Sequence, residues 1–373
     1  MNTCIVPPRT TTRLPSLDGW RAISIVLVLG SHSENTAGFP NHLRILFNWL
    51  FEGNLGVRFF FVISGFLITW LMVLEKDRTG HVNLRHFYIR RALRILPVYF
   101  AFILTLTCLQ LFTPYTQSIS VWIGNLTFTT DFINAGVWTS GHLWSLSVEE
   151  QFYLVWPAIF LFCNFEKRFR LTALILTLPI LLAPIFRVIT YTHASPSVIA
   201  PLFSGFSFFN YFDSLAAGCV SAILFKRKHD KIKKYLIAWP SMTLAVAFTL
   251  ILIPYALIRL FIFGFFTVPL GSSFQALGFA ILLLQSIILP GFGFYHVLNW
   301  RWVREIGVLS YSIYIWQQIF STKPQIFGLG NVWWMSFPGW FVPVFIVAMI
   351  SYYGLEQPLF RLRAHFREVK VIA

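Results

Sequence analysis

Arg21 and His32 lie eleven positions apart in one apolar run, GWRAISIVLVLGSH. In a helix, three turns separate them and both side chains share one face, about 16 Å apart along the axis. An imidazole near neutral pH takes a proton from a hydroxyl, which is the work of a general base. A guanidinium offers a planar fork matched to phosphate or carboxylate oxygens. Ionisable groups in an apolar helix are costly and usually face a protein-lined cavity; the plainer reading puts the two at opposite headgroup layers. Glu34 either orients His32 or faces water, and Asp18 caps the helix start.

Three further segments carry similar groups. GNLGVRFFFVISGFLITW (53–70) sets Arg58 among aromatic residues, with Gly53, Gly56 and Gly65 lightening one side for close packing and Glu52 as the nearest acid. HVNLRHFYIRRALRILPVYF (81–100) reads as an inner loop that clusters Arg90, Arg91 and Arg94, suited to a phosphorylated cytoplasmic cofactor or to topology alone. Pro97 marks an N-terminal helix turn or a kink. GHLWSLSVEEQFYLVWP (141–157) puts Glu149 and Glu150 several residues into an apolar helix, about 100° apart, so at least one faces the interior or water. Arg58 and Arg187 are both candidate partners for a buried glutamate. No Ser or Cys has an evident base beside it, so an acyl-enzyme route is disfavoured.

These side chains need a membrane scaffold. The chain is 57% hydrophobic and only 12% charged, with 41 Phe among 373 residues, and its mean hydropathy is +0.68. Soluble domains carry roughly 25% charged residues. Ten apolar runs approach the ~20 residues needed to span a bilayer: 20–37, 55–74, 95–113, 143–163, 170–189, 208–225, 235–254, 269–290, 306–322 and 339–355. The expected fold is therefore all-α, a polytopic integral membrane helix bundle of about ten transmembrane helices. No cleavable signal peptide or separate soluble domain is evident. The chain divides into an N-terminal segment (1–16), a transmembrane domain (17–356) and a basic tail (357–373).

Cytoplasmic loops are enriched in Lys and Arg. With both termini cytoplasmic, 23 of the 29 basic residues fall in inner segments, KRKHDKIKK at 226–234 being the densest. The net charge of +15 is thereby accounted for by anionic lipid and topology, and nucleic acid is not an expected partner. Cys4, Cys108, Cys163 and Cys219 are scattered, which indicates neither a disulfide framework nor a metal site.

Together these segments resemble the membrane-bound acyltransferase 3 family, which includes bacterial O-acetylases of lipopolysaccharide, exopolysaccharide and peptidoglycan. LDGWRAISIVLVLGSH resembles its first-helix signature, an arginine and a histidine with ten residues between. GNLGVRFFFVISGFLIT, FYIRRALRILPVYF, WSLSVEEQFYLVWP, SYSIYIWQQ (310–318) and LEQPLFRL (355–362) resemble the signatures that follow, in order, so the likeness runs from about 14 to 363. It implies acyl transfer from cytoplasmic acyl-CoA, most simply acetyl-CoA, to a hydroxyl of an extracytoplasmic or lipid-linked glycan, in a bacterial inner membrane. His32, Arg21, Glu149 and Glu150 would then be catalytic, Arg90, Arg91 and Arg94 would hold the donor phosphates, and no metal is implied. Two positions depart from the family pattern: Arg58 stands where an acid is usual, and Gln317 where a histidine is usual. Some relatives add a soluble esterase-like domain; the short basic tail here implies that the chain works alone or with a separate periplasmic or membrane partner. The main competing reading is a glycan or lipid-linked sugar transporter, which predicts an internal repeat that the sequence lacks. A scaffold whose polar groups only fix packing explains Glu149 poorly.

Overall fold

The computed structural model describes residues 14–133, 137–163, 168–192, 205–364 and 366. Most of the N-terminal segment, including Arg9 and Arg13, and the end of the basic tail lie outside them. The described residues are helical throughout, apart from connecting turns and one isolated bridge between Ala37 and Ser336. Among the described residues, ten long helices form the bundle: α1 Leu17–Ser33, α2 Gly53–Thr79, α3 Leu84–Phe112, α4 Leu143–Cys163, α5 Phe169–Thr192, α6 Phe208–Arg227, α7 Pro240–Arg259, α8 Ser272–Ile288, α9 Arg301–Phe320 and α10 Phe341–Ser351. A wide turn, Tyr352–Glu356, carries α10 on into Gln357–Ala364.

Among the described residues, eight segments are long and apolar enough to cross a membrane, and they contain α2 to α8 and α10. The other two expected spans fall outside that set. α1 has 17 residues, and the first turns of α9 carry Arg301, Arg304 and Glu305. Both are nevertheless packed into the bundle, through residues such as Ile25 and Val28 of α1 and Ile313 and Ile315 of α9.

Side-chain registers give the helix directions. Asp18 lies against Gly307 and His32 against Gln317, so α1 and α9 run parallel. Tyr311 bonds to Ile95 and Phe102 touches Trp316, so α3 runs with them. Ser64 meets Glu149 and Thr69 meets Trp156, which sets α2 parallel to α4. Ser145 faces Tyr314 while His142, just ahead of α4, reaches Gln318, so α4 opposes α9.

Three local expectations are corrected. The arginine segment is helix, not loop: α3 begins at Leu84, eleven residues ahead of the expected span, because Asn83 accepts from the His86 N–H and Leu, Arg and Ala favour helix. Pro97 accordingly lies in the interior of α3. Asp18 is not the cap of α1; that position is Ser16, and Asp18 sits in the first turn, 3.9 Å from Arg21, where the helix dipole favours a carboxylate. The glycines of α2 do not share one side. A Cβ on Gly56 would lie 2.4 Å from Ser24 O of α1, whereas one on Gly65 would lie 2.1 Å from Leu215 O of α6. Nine residues at about 100° each leave Gly65 on the opposite side of the helix from Gly56.

Candidate active site

Polar side chains of α4 that follow each other at four-residue intervals form one wall of a cavity. Ser145, Glu149 and Tyr153 stack on a single face. α2 supplies the facing wall, from Phe60 and Phe61 through Ser64, Ile68 and Met72 to Glu75 and Arg78, and α9 adds Ser310, Tyr311 and Tyr314. The space measures about 340 Å³. Arg78 at one extreme is exposed, while Ser145 and Tyr314 at the other are 5% and 7% exposed. It is a channel with one open, basic end and one buried end.

Arg21, Arg90, Arg91, Arg94 and Glu149, five of the seven residues singled out from sequence, line this cavity together. The Arg91 guanidinium lies 4.0 Å above the Tyr153 ring. Arg90 is held by Glu75 at 2.6 Å and by Phe366 O at 2.8 Å, so part of its donor capacity is already used. A smaller cavity of about 160 Å³ adjoins, sharing Arg21, Arg94 and Tyr311 and adding Glu356. Glu356 is buried and accepts from Ser312. Sequence reasoning missed its role beside the arginines, although it stands in the LEQPLFRL segment.

Glu149 accepts a hydrogen bond from Ser64, which in turn accepts from the Tyr153 hydroxyl at 3.0 Å. A serine therefore does have a carboxylate beside it, a pairing invisible in a sequence that separates the two by 85 positions. Neither expected arginine pairs with Glu149. Arg187 is bound to Asp213 at 2.5 Å and to Ser273 at 3.0 Å. Arg58 is buried against Tyr211 and Ser214, and its early neighbour Glu52 is bound to Arg259. Glu150 does not line the cavity, and its buried Oε1 has no partner among the described residues.

His32 also lies outside the cavity lining. Its Nδ1 is 2.8 Å from Gln317 Oε1. An amide oxygen only accepts, so Nδ1 carries the hydrogen and Nε2 keeps its lone pair. Trp138 packs edge-on against the ring at 4.9 Å. Glu34 does not orient it, being bonded to Asn48 instead. Gln317 thus holds the His32 ring. His142 is differently placed: its Nδ1 faces Gln318 Oε1 at 2.6 Å and its Nε2 faces Ile315 O at 3.0 Å, which leaves neither nitrogen open. Among the described residues, no group of three or more His, Cys, Asp or Glu side chains could hold a metal ion.

A family model described as "Acyltransferase domain" matches residues 14–353. The peptidoglycan O-acetyltransferase OatA of Listeria monocytogenes is 26% identical over 369 residues, covering 93% of this chain and 56% of its own length. YrhL of Bacillus subtilis, provisionally named a peptidoglycan O-acetyltransferase, is 26% identical over 379 residues, with 93% and 55% covered. The chain spans about half the length of these curated relatives. No solved structure matches it. Its apolar spans and bacterial relatives place it in a bacterial inner membrane. With the family match extending over nearly the whole chain, and with the arginines and Glu149 meeting around one cavity, the protein belongs to the acyltransferase 3 family of membrane acyltransferases.

Proposed function

We propose that the chain transfers an acyl group, acetyl in the simplest case, from acyl-CoA to a hydroxyl of a glycan on the far side of the membrane. One observation carries this reading: an arginine-lined cavity whose buried end stops about one turn of α9 short of Gln317, the hydrogen-bond partner of His32. Tyr314 lines that end, and Gln317, three residues on, holds the His32 ring. The donor is a substrate whose chemistry suits the walls. Arg21, Arg91 and Arg94 match its phosphates, and Phe61, Ile68 and Met72 offer apolar contact to a pantetheine arm. Eight residues of α4, about 12 Å, separate the Tyr153 level, where Arg91 sits, from Ser145. An extended thioester arm can bridge that distance.

In a single step, the acceptor hydroxyl gives its proton to His32 Nε2 while its oxygen attacks the thioester carbonyl. The C–S bond then breaks, and the CoA thiolate takes the proton from the imidazolium. Glu149 and Glu150 belong to the proposed site, Glu149 in the lining with Arg91 and Glu150 next to it on α4, outside the lining. The acceptor glycan, together with any separate periplasmic or membrane partner, belongs to the same proposal; the relatives' names support a peptidoglycan-like acceptor. The helix directions are in keeping with the proposed orientation, both termini cytoplasmic. α1 and α9 run parallel to α3 and opposite to α4, the alternation required of ten crossings with both termini cytoplasmic. The arginine end of the cavity would then face the cytoplasm, in keeping with the basic inner segments.

The test is transfer of radiolabelled acetyl from acetyl-CoA to envelope glycans in membranes holding the wild-type chain or an equally expressed His32→Ala variant. Label that appears with wild type and falls at least about a thousandfold in the variant supports the mechanism. Equal label from both rules out His32 as the base. A wild-type chain that binds acetyl-CoA and acylates no glycan overturns the proposed activity.

A further inference from the structure

The buried end of the cavity holds a pair of hydroxyls that the mechanism above leaves unused. Ser145 Oγ and Tyr314 OH are 2.6 Å apart. Both also reach one carbonyl, His142 O, at 3.2 Å and 3.1 Å. Two O–H groups thus share that carbonyl and each other, so either can turn toward a new acceptor while the other stays bonded. The Tyr314 ring is fixed by edge contacts to Phe60 and His142. Ser310, one turn back on α9, lines the same cavity with a fully buried hydroxyl that has no partner among the described residues. Hydroxyl donors therefore gather at the end remote from the exposed arginine.

We propose that Ser145 and Tyr314 are catalytic residues: their hydroxyls donate to the thioester carbonyl oxygen and hold the negative charge it gains when the acceptor attacks. This rests on the acyl-transfer reading. As the acceptor oxygen bonds to the carbonyl carbon and its proton passes to His32, the carbonyl π pair moves onto oxygen. The two hydroxyls meet that oxyanion in a water-poor site, where preformed donors count most. When the C–O double bond re-forms, the C–S bond breaks and CoA leaves with the proton from His32. Atoms and electrons balance with no further reactant.

The experiment compares wild type, Tyr314→Phe and Ser145→Ala, purified in detergent, for kcat and KM with acetyl-CoA and for affinity toward CoA alone. Tyr314→Phe keeps the ring contacts, and Ser145→Ala removes a single oxygen. Each variant is expected to lose about a hundredfold to a thousandfold in kcat, with KM and CoA affinity changed by no more than about twofold. A kcat within about twofold of wild type in Tyr314→Phe overturns the proposal. So does loss of CoA affinity in step with kcat in both variants, since a packing role would then suffice. Wild type that binds acetyl-CoA yet transfers nothing overturns the acyl-transfer reading and this inference with it, whereas active wild type beside an equally active Tyr314→Phe overturns the inference alone.

Discussion

At the residue scale, the pairing of His32 with Gln317 matters more than either side chain alone. A histidine that serves as a base needs one nitrogen engaged by an acceptor and the other open, and Gln317 Oε1 meets the first condition at 2.8 Å. Gln317→Leu leaves the Nδ1–H without its acceptor and the ring free to turn. The expected loss is about tenfold to a hundredfold in kcat, the effect of roughly 1–3 kcal/mol from an unsatisfied buried donor. Gln317→Glu keeps an acceptor and should retain most of the rate. Steady-state acetyl transfer measures both, and a Gln317→Leu variant with wild-type kcat would show that the ring needs no such support. The departure from the family pattern at Gln317 is thus compatible with the base proposed at His32. The arginine at Arg58 has a separate setting, away from the cavity, against Tyr211 and Ser214.

At the scale of elements, two kinds of contact stand out beside apolar packing: backbone approach at glycine, and a buried ion pair. α2 and α6 cross where Gly65 and Gly218 face one another; a Cβ on Gly218 would lie 2.1 Å from Val62 O. That crossing keeps Ser64 turned toward α4 and Glu149. Arg187 of α5 and Asp213 of α6 form the buried pair that ties these helices together, with Ser273 of α8 bonded to both. Arg187→Met removes one partner and leaves a buried, uncompensated carboxylate, for an expected loss of about 3–5 kcal/mol. The double variant Arg187→Met with Asp213→Leu should recover most of it. Unfolding midpoints in detergent read the difference; equal midpoints for the single variant and wild type would mean that the pair contributes nothing to holding α5.

At the scale of the whole molecule, one contribution to the pH dependence of stability comes from a carboxyl outside the spans. Asp131 lies in the segment between α3 and α4, is 1% exposed, and accepts from Gln151 at 2.8 Å and from the Phe208 N–H at 3.2 Å. Burial outweighs these bonds and pushes its pKa up to about 6. A raised carboxyl pKa means that folding favours the neutral form. The stabilisation is therefore complete below the unfolded-state pKa of about 4 and is lost as pH rises through 6. The expected change is about 2 kcal/mol between pH 4 and 7. Asp131→Asn should flatten that part of the profile. Melting temperature from pH 4 to 8 checks this, and identical profiles for the two proteins would exclude Asp131 as the source.

Much of this protein was legible along the chain. Apolar run length identifies a membrane bundle because lipid leaves backbone groups no partner except their own helix. The spacing of Arg21 and His32, and the arginines at Arg90, Arg91 and Arg94, announced a basic end and a candidate base, since those residues are too costly in an apolar setting to be incidental. Partners were not legible. Nothing along the chain joins Ser64 to Glu149, Gln317 to His32, Arg187 to Asp213 or Ser145 to Tyr314, because each pair is made by helices that meet only after packing. A helix's own period tells which residues share a face. Which face turns toward which neighbour, and so which hydroxyl meets which carboxylate, was decided by close packing at positions such as Gly65 and Gly307, where only a missing side chain lets two backbones touch.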